Sequence, residues 1–246
     1  MPRVDRWAGA EELEGVASGF AATRDGIDTM LRDRGLRRTS PDLTAQSLLR
    51  GAHASAVLSG STSTLDEVRA GAGDAVAQSA LRVSVELLGL VPVFSRTPLQ
   101  ALARIHALAA AGTVADDDVG RPRDAPSAER LRQVAGLLGE RRPALVVAAL
   151  VHAELATAAP FGSADAIVAR AAERLVLASS GVDAKSLVVP EAGHLALRAA
   201  YESNLRGYAE GGPSGVHAWV LYAAEAYAAG AEASPLRRPA DPPQTD

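Results

Sequence analysis

The sequence predicts an all-α fold: one helical domain with a buried central helix and a helix–loop–helix core. Three observations carry that expectation. Alanine makes up roughly a fifth of the 246 residues while aromatic residues are 4%, a balance that favours helices over the β-branched and aromatic surfaces of sheets. Helix start and stop signals recur along the chain. One stretch, Ala144–Ala158, is apolar nearly all round, interrupted only by His152 and Glu154, as in a helix covered on every side.

Taken in order, residues 1–42 are polar and mixed in charge and read as an N-terminal extension, with a helix around Asp25–Arg34 and Pro41 closing the region. The domain proper is expected over 43–232. A helical pattern runs from Leu43 to Leu58 through Leu48, Leu49, Ala52, Ala56 and Val57, and Gly60-Ser61 breaks it. Thr64-Leu65-Asp66-Glu67 matches a capping box and opens a helix expected to reach Gly89. Thr97-Pro98 starts another, with Leu99, Leu102, Ile105 and Leu108 at helical spacing and Gly112 as its cap. A charged loop over 113–126 precedes a helix starting at Ser127, with Leu131, Val134 and Leu138 on one face and Gly139 beyond its end. After Pro143 comes the apolar helix 144–158, then a Pro160-Phe161-Gly162 break. Ser163 is read as the N-cap of the next helix, Ala164–Ser179. Pro190 opens a helix toward Tyr208, Gly211-Gly212-Pro213 turns the chain, and Val216–Ala229 is the last helix, carrying Trp219 and Tyr222. The proline-bearing tail, 233–246, is expected to be disordered.

Composition narrows the function. There is no cysteine, so disulfide scaffolds, thiolate metal sites and cysteine nucleophiles are excluded. The charge of −4, from 25 basic and 29 acidic residues, argues against a nucleic-acid binder. Met1–Ala10 lacks the apolar core of a signal peptide. The longest strongly apolar run, Ala144–Val151, falls far short of the ~20 residues that cross a bilayer. The expectation is a cytoplasmic protein with no membrane contact. Lys185 is the single lysine among many arginines, which together with the alanine content suits a GC-rich bacterial genome.

The order of a buried helix, a Pro-Phe-Gly loop and a capped helix carrying arginine resembles the Fic (Fido) family. That family's motif is His-Pro-Phe-x-Asp/Glu-Gly-Asn-Gly-Arg-x-x-Arg between two helices. The stretch here is Ala159-Pro160-Phe161-Gly162-Ser163-Ala164-Asp165-Ala166-Ile167-Val168-Ala169-Arg170. Gly120-Arg121-Pro122-Arg123, coming after Ile105-His106-Ala107-Leu108, resembles the family's Gly-x-x-Arg segment after its "H..L" helix. Ser55–Gly60 resembles its N-terminal inhibitory helix, and Thr64–Val68 resembles the segment next to that helix. Tyr201, Leu205 and Trp219 suit its C-terminal helices. The likeness covers roughly residues 43–230.

Active Fic proteins transfer a nucleotide monophosphate, usually AMP, to a protein hydroxyl, and the resemblance assigns roles by position. Ala159 stands where the histidine base would be, and a methyl group accepts no proton. General-base help contributes ~10²–10⁴ in rate, so transfer by that route should be largely lost. Ser163 stands at the carboxylate that holds Mg²⁺, a cation that prefers charged oxygen. Ala164 and Ala166 replace the two glycines, and alanine is penalised wherever the turn needs φ > 0. Asp165 replaces the asparagine and would repel phosphate. Ile167 replaces the first arginine, leaving Pro160, Phe161 and Arg170. Ser59 stands where the inhibitory helix carries the glutamate that pairs with the second arginine.

The remaining candidates have plainer readings. His152, seven residues before Ala159, is two turns back and about 10 Å along the axis, out of reach of a hydroxyl at Ala159; it reads as a hydrogen-bonded core histidine. Glu154 reads as a solvated or paired helix charge, Arg170 as an anion contact or a salt bridge to Glu173 or Glu154. Asp116-Asp117-Asp118 reads as solvated, and His53, His106, His194 and His217 show no metal-ligand spacing. The function expected is that of a catalytically degenerate Fic-like protein acting as a binding, regulatory or scaffold protein. It would need no cofactor, no metal and no catalytic residue, and would act on a protein partner; alanine-rich helices also suit a homodimer. The alternative is an enzyme of altered chemistry that binds a nucleotide or other phosphate compound at Ser163, Asp165 and Arg170, where a helix N-terminus favours anions.

Overall fold

The structure is a computed structural model that describes residues 7–32 and 41–237. Within these the chain forms twelve α-helices and no strand: α1 Val16–Arg32, α2 Pro41–Leu58, α3 Leu65–Arg69, α4 Ala75–Glu86, α5 Val91–Arg96, α6 Pro98–Ala109, α7 Ala125–Leu138, α8 Ala144–Ala158, α9 Asp165–Ser179, α10 Pro190–Ala196, α11 Arg198–Glu210 and α12 Pro213–Glu232. The all-α expectation holds.

Helix α8 sits at the centre, with every residue from Leu145 to Leu155 buried. Its main partner is α9, antiparallel to it across the short 159–164 loop and buried over most of its length. Around this hairpin lie α7, α11 and α12. The long α12 places Trp219, Tyr222 and Tyr227 in the core, and the Trp219 indole N–H donates to the Ala149 carbonyl of α8 at 2.8 Å. Helices α10 and α12 approach closely because Gly193 has no side chain; a Cβ there would overlap the Ala226 carbonyl.

Several boundaries differ from the sequence reading, each for a local reason. Where it is described, the segment 1–42 packs on the rest of the chain: Trp7, Val16, Phe20, Ile27 and Met30 belong to the common core, and Thr23 donates its hydroxyl proton to the Ala224 carbonyl of α12 at 2.9 Å. The capping box at Thr64 and Glu67 forms, but its helix stops at Arg69. Gly71 turns at φ 69°, and Asp74 caps a new helix by accepting from the Ala77 N–H at 2.9 Å. Helix α7 starts at Ala125, ahead of the expected Ser127, because Asp124 caps it; the Asp124 carboxylate accepts the Ser127 N–H at 2.7 Å. The helix from Pro190 breaks at Leu197 into α10 and α11. At the C-terminus Ser234 is buried and Leu236 packs on the core, so order extends past 233; residues 238–246 of the expected tail lie outside the described residues.

Among the described residues one helical run, Ala75–Arg96, is long and apolar enough to cross a membrane. It is interrupted by a 3-10 turn over Leu87–Leu90 and lays Ala77, Ala80, Val83, Leu87, Leu90 and Phe94 into the core.

Candidate functional site

The loop between α8 and α9 is where the sequence places its chemistry, and its backbone is unusual. Helix α8 ends at Ala159 with φ 43° and ψ 60°. Gly162 is next to turn, at φ 77°, and Ala164 introduces α9 at φ 52°. Two alanines therefore occupy left-handed conformations, each about 1–2 kcal/mol less favourable for a residue with a Cβ than the right-handed alternative. The penalty anticipated for alanine in this turn falls on Ala164 and not on Ala166, which is helical.

The three segments matched in sequence meet here in space. The Phe161 ring stacks on the imidazole of His106 from α6, with centroids 4.4 Å apart and planes 7° from parallel. The Gly120 N–H donates to His106 Nδ1 at 2.9 Å, while Nε2 lies 3.0 Å from the Ser163 hydroxyl. The Arg123 N–H donates to the Pro160 carbonyl at 2.9 Å, and its guanidinium reaches the Ala158 carbonyl at 3.3 Å. A backbone donor on Nδ1 leaves the neutral ring with its proton on Nε2. His106 thus donates to Ser163, the reverse of a base that takes a serine proton. Burial also pushes its pKa down, which favours this neutral form.

Each position expected to touch a nucleotide is engaged within the protein. Ser163 does not cap α9: the N-cap is Ala164, which has no side-chain cap, and the Ser163 hydroxyl is held by His106. Asp165 is buried and accepts the Phe161 N–H at 2.9 Å. Burial pushes its carboxyl up, against the backbone N–H groups of Phe161, Gly162 and Ser163 and the charge of Arg123, which pull it down. Arg170 is 1% exposed and, among the described residues, forms no salt bridge to Glu173 or Glu154. Its Nε donates to Ser55 Oγ at 2.9 Å and its Nη2 to the Ser55 carbonyl at 3.0 Å and to Ser59 Oγ at 2.5 Å. Its Nη1 donates to the Tyr201 hydroxyl at 3.2 Å. Ser59, read as standing at the inhibitory-glutamate position, therefore does meet this arginine.

The stripe that receives Arg170 is legible in α2. Ser47, Gly51 and Ser55 recur every four residues, so they share one helix face, and Ser59 lies just past its end. Arg170 and Arg174 on α9 have the same spacing. Arg174 donates to Ser47 Oγ at 2.5 Å, Ser186 Oγ at 2.5 Å, the Ser186 carbonyl at 2.9 Å and Glu191 at 2.9 Å. A Cβ at Gly51 would collide with the Arg174 guanidinium. Ile167, at the first-arginine position, is buried in the apolar core.

His152 is a core histidine. It is fully buried, its Nε2 lies 3.1 Å from the Tyr201 hydroxyl, and burial pushes its pKa down to about 4. Glu154 is paired, but buried: it meets Arg130 at 3.0 Å and accepts from the Tyr208 hydroxyl at 2.9 Å. Asp116, Asp117 and Asp118 form an exposed turn. Sequence spacing missed one cluster. His152, Glu173 and His194 converge from α8, α9 and α10, and ligands from three helices leave no short-range pattern. Two cavities, about 420 Å³ beside Phe94, Pro98, Leu138 and Ser179 and about 350 Å³ beside Phe20, Pro143, Leu145 and Val182, lie away from the loop.

No family model matches the sequence and no curated protein is significantly similar to it. Among solved structures the chain is similar to a Fic family protein from Desulfovibrio desulfuricans G20, with a TM-score of 0.75 and 16% identity over 90% of this chain and 74% of that one. The chain has the Fic fold.

Proposed function

We propose that this Fic-fold chain acts by binding a protein partner, as a regulatory or scaffold protein, and does not transfer a nucleotide. The observation that carries this reading is the state of the loop. A methyl group stands at Ala159, where proton removal would have to occur, and Ser163, Asp165 and Arg170 are engaged by His106, by the Phe161 N–H and by Ser55, Ser59 and Tyr201. A guanidinium with four internal acceptors has lost the freedom to reach for a phosphate. An Asp165 carboxylate at the start of α9 also uses the dipole position that would otherwise favour an anionic ligand. The reading needs no cofactor. The alternative, a phosphate compound at 163–170, has support only from the helix N-terminus itself.

The test is incubation of the purified chain with ATP labelled on its α-phosphate, Mg²⁺ and a bacterial lysate. The expected result is no labelled protein above a control lacking the chain, both for the native sequence and for Ala159→His. Restoring the base alone would not supply the metal carboxylate or free Arg170. Labelling that depends on the native chain would overturn the reading.

A further inference from the structure

We infer that His152, Glu173 and His194 form a binding site for one divalent transition-metal ion of the zinc class, with His152 Nδ1, a Glu173 carboxylate oxygen and His194 Nε2 as its ligands. This inference does not rest on the function proposed above, although the Tyr201 hydroxyl is shared between His152 and Arg170.

The geometry is that of a ligand set. The three donor atoms lie within 4.8 Å of one another, and all three side chains are 0% exposed. His152 Nδ1 is 2.9 Å and His194 Nε2 3.0 Å from the same oxygen, Glu173 Oε2. Around an ion with bonds of about 2.1 Å, ligand atoms at right angles are about 3.0 Å apart and tetrahedral ones about 3.4 Å. The two nitrogens already lie at about this spacing from Glu173 Oε2, and the nitrogen pair falls within 4.8 Å. Two imidazoles and a carboxylate suit zinc, iron or cobalt and not magnesium or calcium, which favour all-oxygen shells.

Two further observations favour an ion over a bare hydrogen-bonded cluster. His152 Nδ1 is buried and close to Glu173, yet no hydrogen bond to it is aligned. Protonated, it is a buried donor with no aligned acceptor; unprotonated, it holds a buried lone pair beside a carboxylate oxygen with no donor to meet. A cation between them resolves both. The outer atoms are also oriented by partners, as ligating side chains are in metal sites. The Tyr201 hydroxyl sits 3.1 Å from His152 Nε2 and the Tyr222 hydroxyl 2.8 Å from His194 Nδ1. Tyr227 donates to Glu173 Oε1 at 2.8 Å. Among the described residues no guanidinium contacts Glu173: Arg170 donates to Ser55, Ser59 and Tyr201, and Arg174 to Ser47, Ser186 and Glu191.

The test uses the full chain, stripped with a chelator and dialysed against Zn²⁺. The expected result is about one zinc per chain by elemental analysis, a raised melting temperature, and, with Co²⁺ as probe, a ligand-field absorption band in the visible. Glu173→Gln and His194→Gln roughly keep side-chain size but each removes one of the three ligands. Each should lower the affinity at least a hundredfold, whereas a His53→Ala, His217→Ala double variant should bind as the native chain does. If the glutamine variants do not fold, the native chain still decides: substoichiometric zinc with no melting shift and no Co²⁺ band overturns the inference. So does binding that survives in Glu173→Gln or disappears in the double variant.

Discussion

Replacing Ala164 by glycine and, separately, Ala166 by glycine should have unequal effects on stability, although the two residues flank the same Asp165. Ala164 sits at φ 52°. Ala166 lies in the first turn of α9 and is not among the residues with positive φ. Both substitutions give the unfolded chain the same extra freedom, about 0.4–1 kcal/mol against folding, and both remove a half-buried methyl. The difference between the variants therefore isolates the native backbone. At Ala164 glycine relieves a left-handed penalty of about 1–2 kcal/mol; at Ala166 it relieves nothing. Ala164→Gly should be neutral to slightly stabilising and Ala166→Gly destabilising, with a gap of about 1–2 kcal/mol. For a chain of this size that corresponds to a gap of about 5 °C in melting temperature. Urea unfolding with a common slope, alongside calorimetry, measures it. Equal losses in the two variants, or a more stable Ala166→Gly, would refute the assignment of strain to Ala164.

The buried network and the caps support three more expectations. Ser55→Ala removes the acceptor of Arg170 Nε in a buried setting and should cost about 1–3 kcal/mol by urea denaturation; a loss within error would mean that Arg170 is not held there. Gly193→Ala forces a methyl against the Ala226 carbonyl and should cost about 1–3 kcal/mol as α10 and α12 move apart; a neutral result would place the helices farther apart. The Ala77 N–H and the Ser61 hydroxyl hold the Asp74 carboxyl below its usual range. Its folded pKa thus lies below its unfolded one, so its contribution is present above about pH 4 and fades as pH falls through the folded value. Thermal melts from pH 6 to pH 2.5 should show the native chain losing more stability than Asp74→Asn; parallel curves would remove Asp74 from the account.

Where local chemistry decides, the fold was legible. The apolar run 144–158 became α8 with the bounds read from its pattern, the Thr64 capping box closed as written, and Pro98 opened α6. Misreadings arose where a competing partner won. Asp124 lay three residues ahead of Ser127 and took the cap, and His106, fifty-seven positions away in the chain, took the hydroxyl of Ser163. N-terminal helix α1 begins at Val16, well before the expected Asp25: its apolar residues Val16, Phe20, Ile27 and Met30 are sparse among charges, yet their spacing puts them on one face against α12. For the site, position-by-position comparison located the loop and paired Ser59 with Arg170, but the cluster of His152, Glu173 and His194 depends on how three helices cross, which no short pattern encodes.

The loop also shows what holds an unusual backbone in place. Strained backbone survives only where its surroundings over-determine it, and here those surroundings are identifiable. The Phe161 ring is stacked on His106, His106 is fixed by the Gly120 N–H, Pro160 accepts from Arg123, and Asp165 holds the Phe161 N–H. None of these restraints requires a phosphate. Ala159 and Ala164 keep left-handed conformations because α6, the 120–123 segment and α9 hold the chain on that path. An anion would have to displace Asp165 from the Phe161 N–H and draw Arg170 away from Ser55, Ser59 and Tyr201 before gaining any contact of its own. A partner that docks against the outer face of this loop would break none of these bonds.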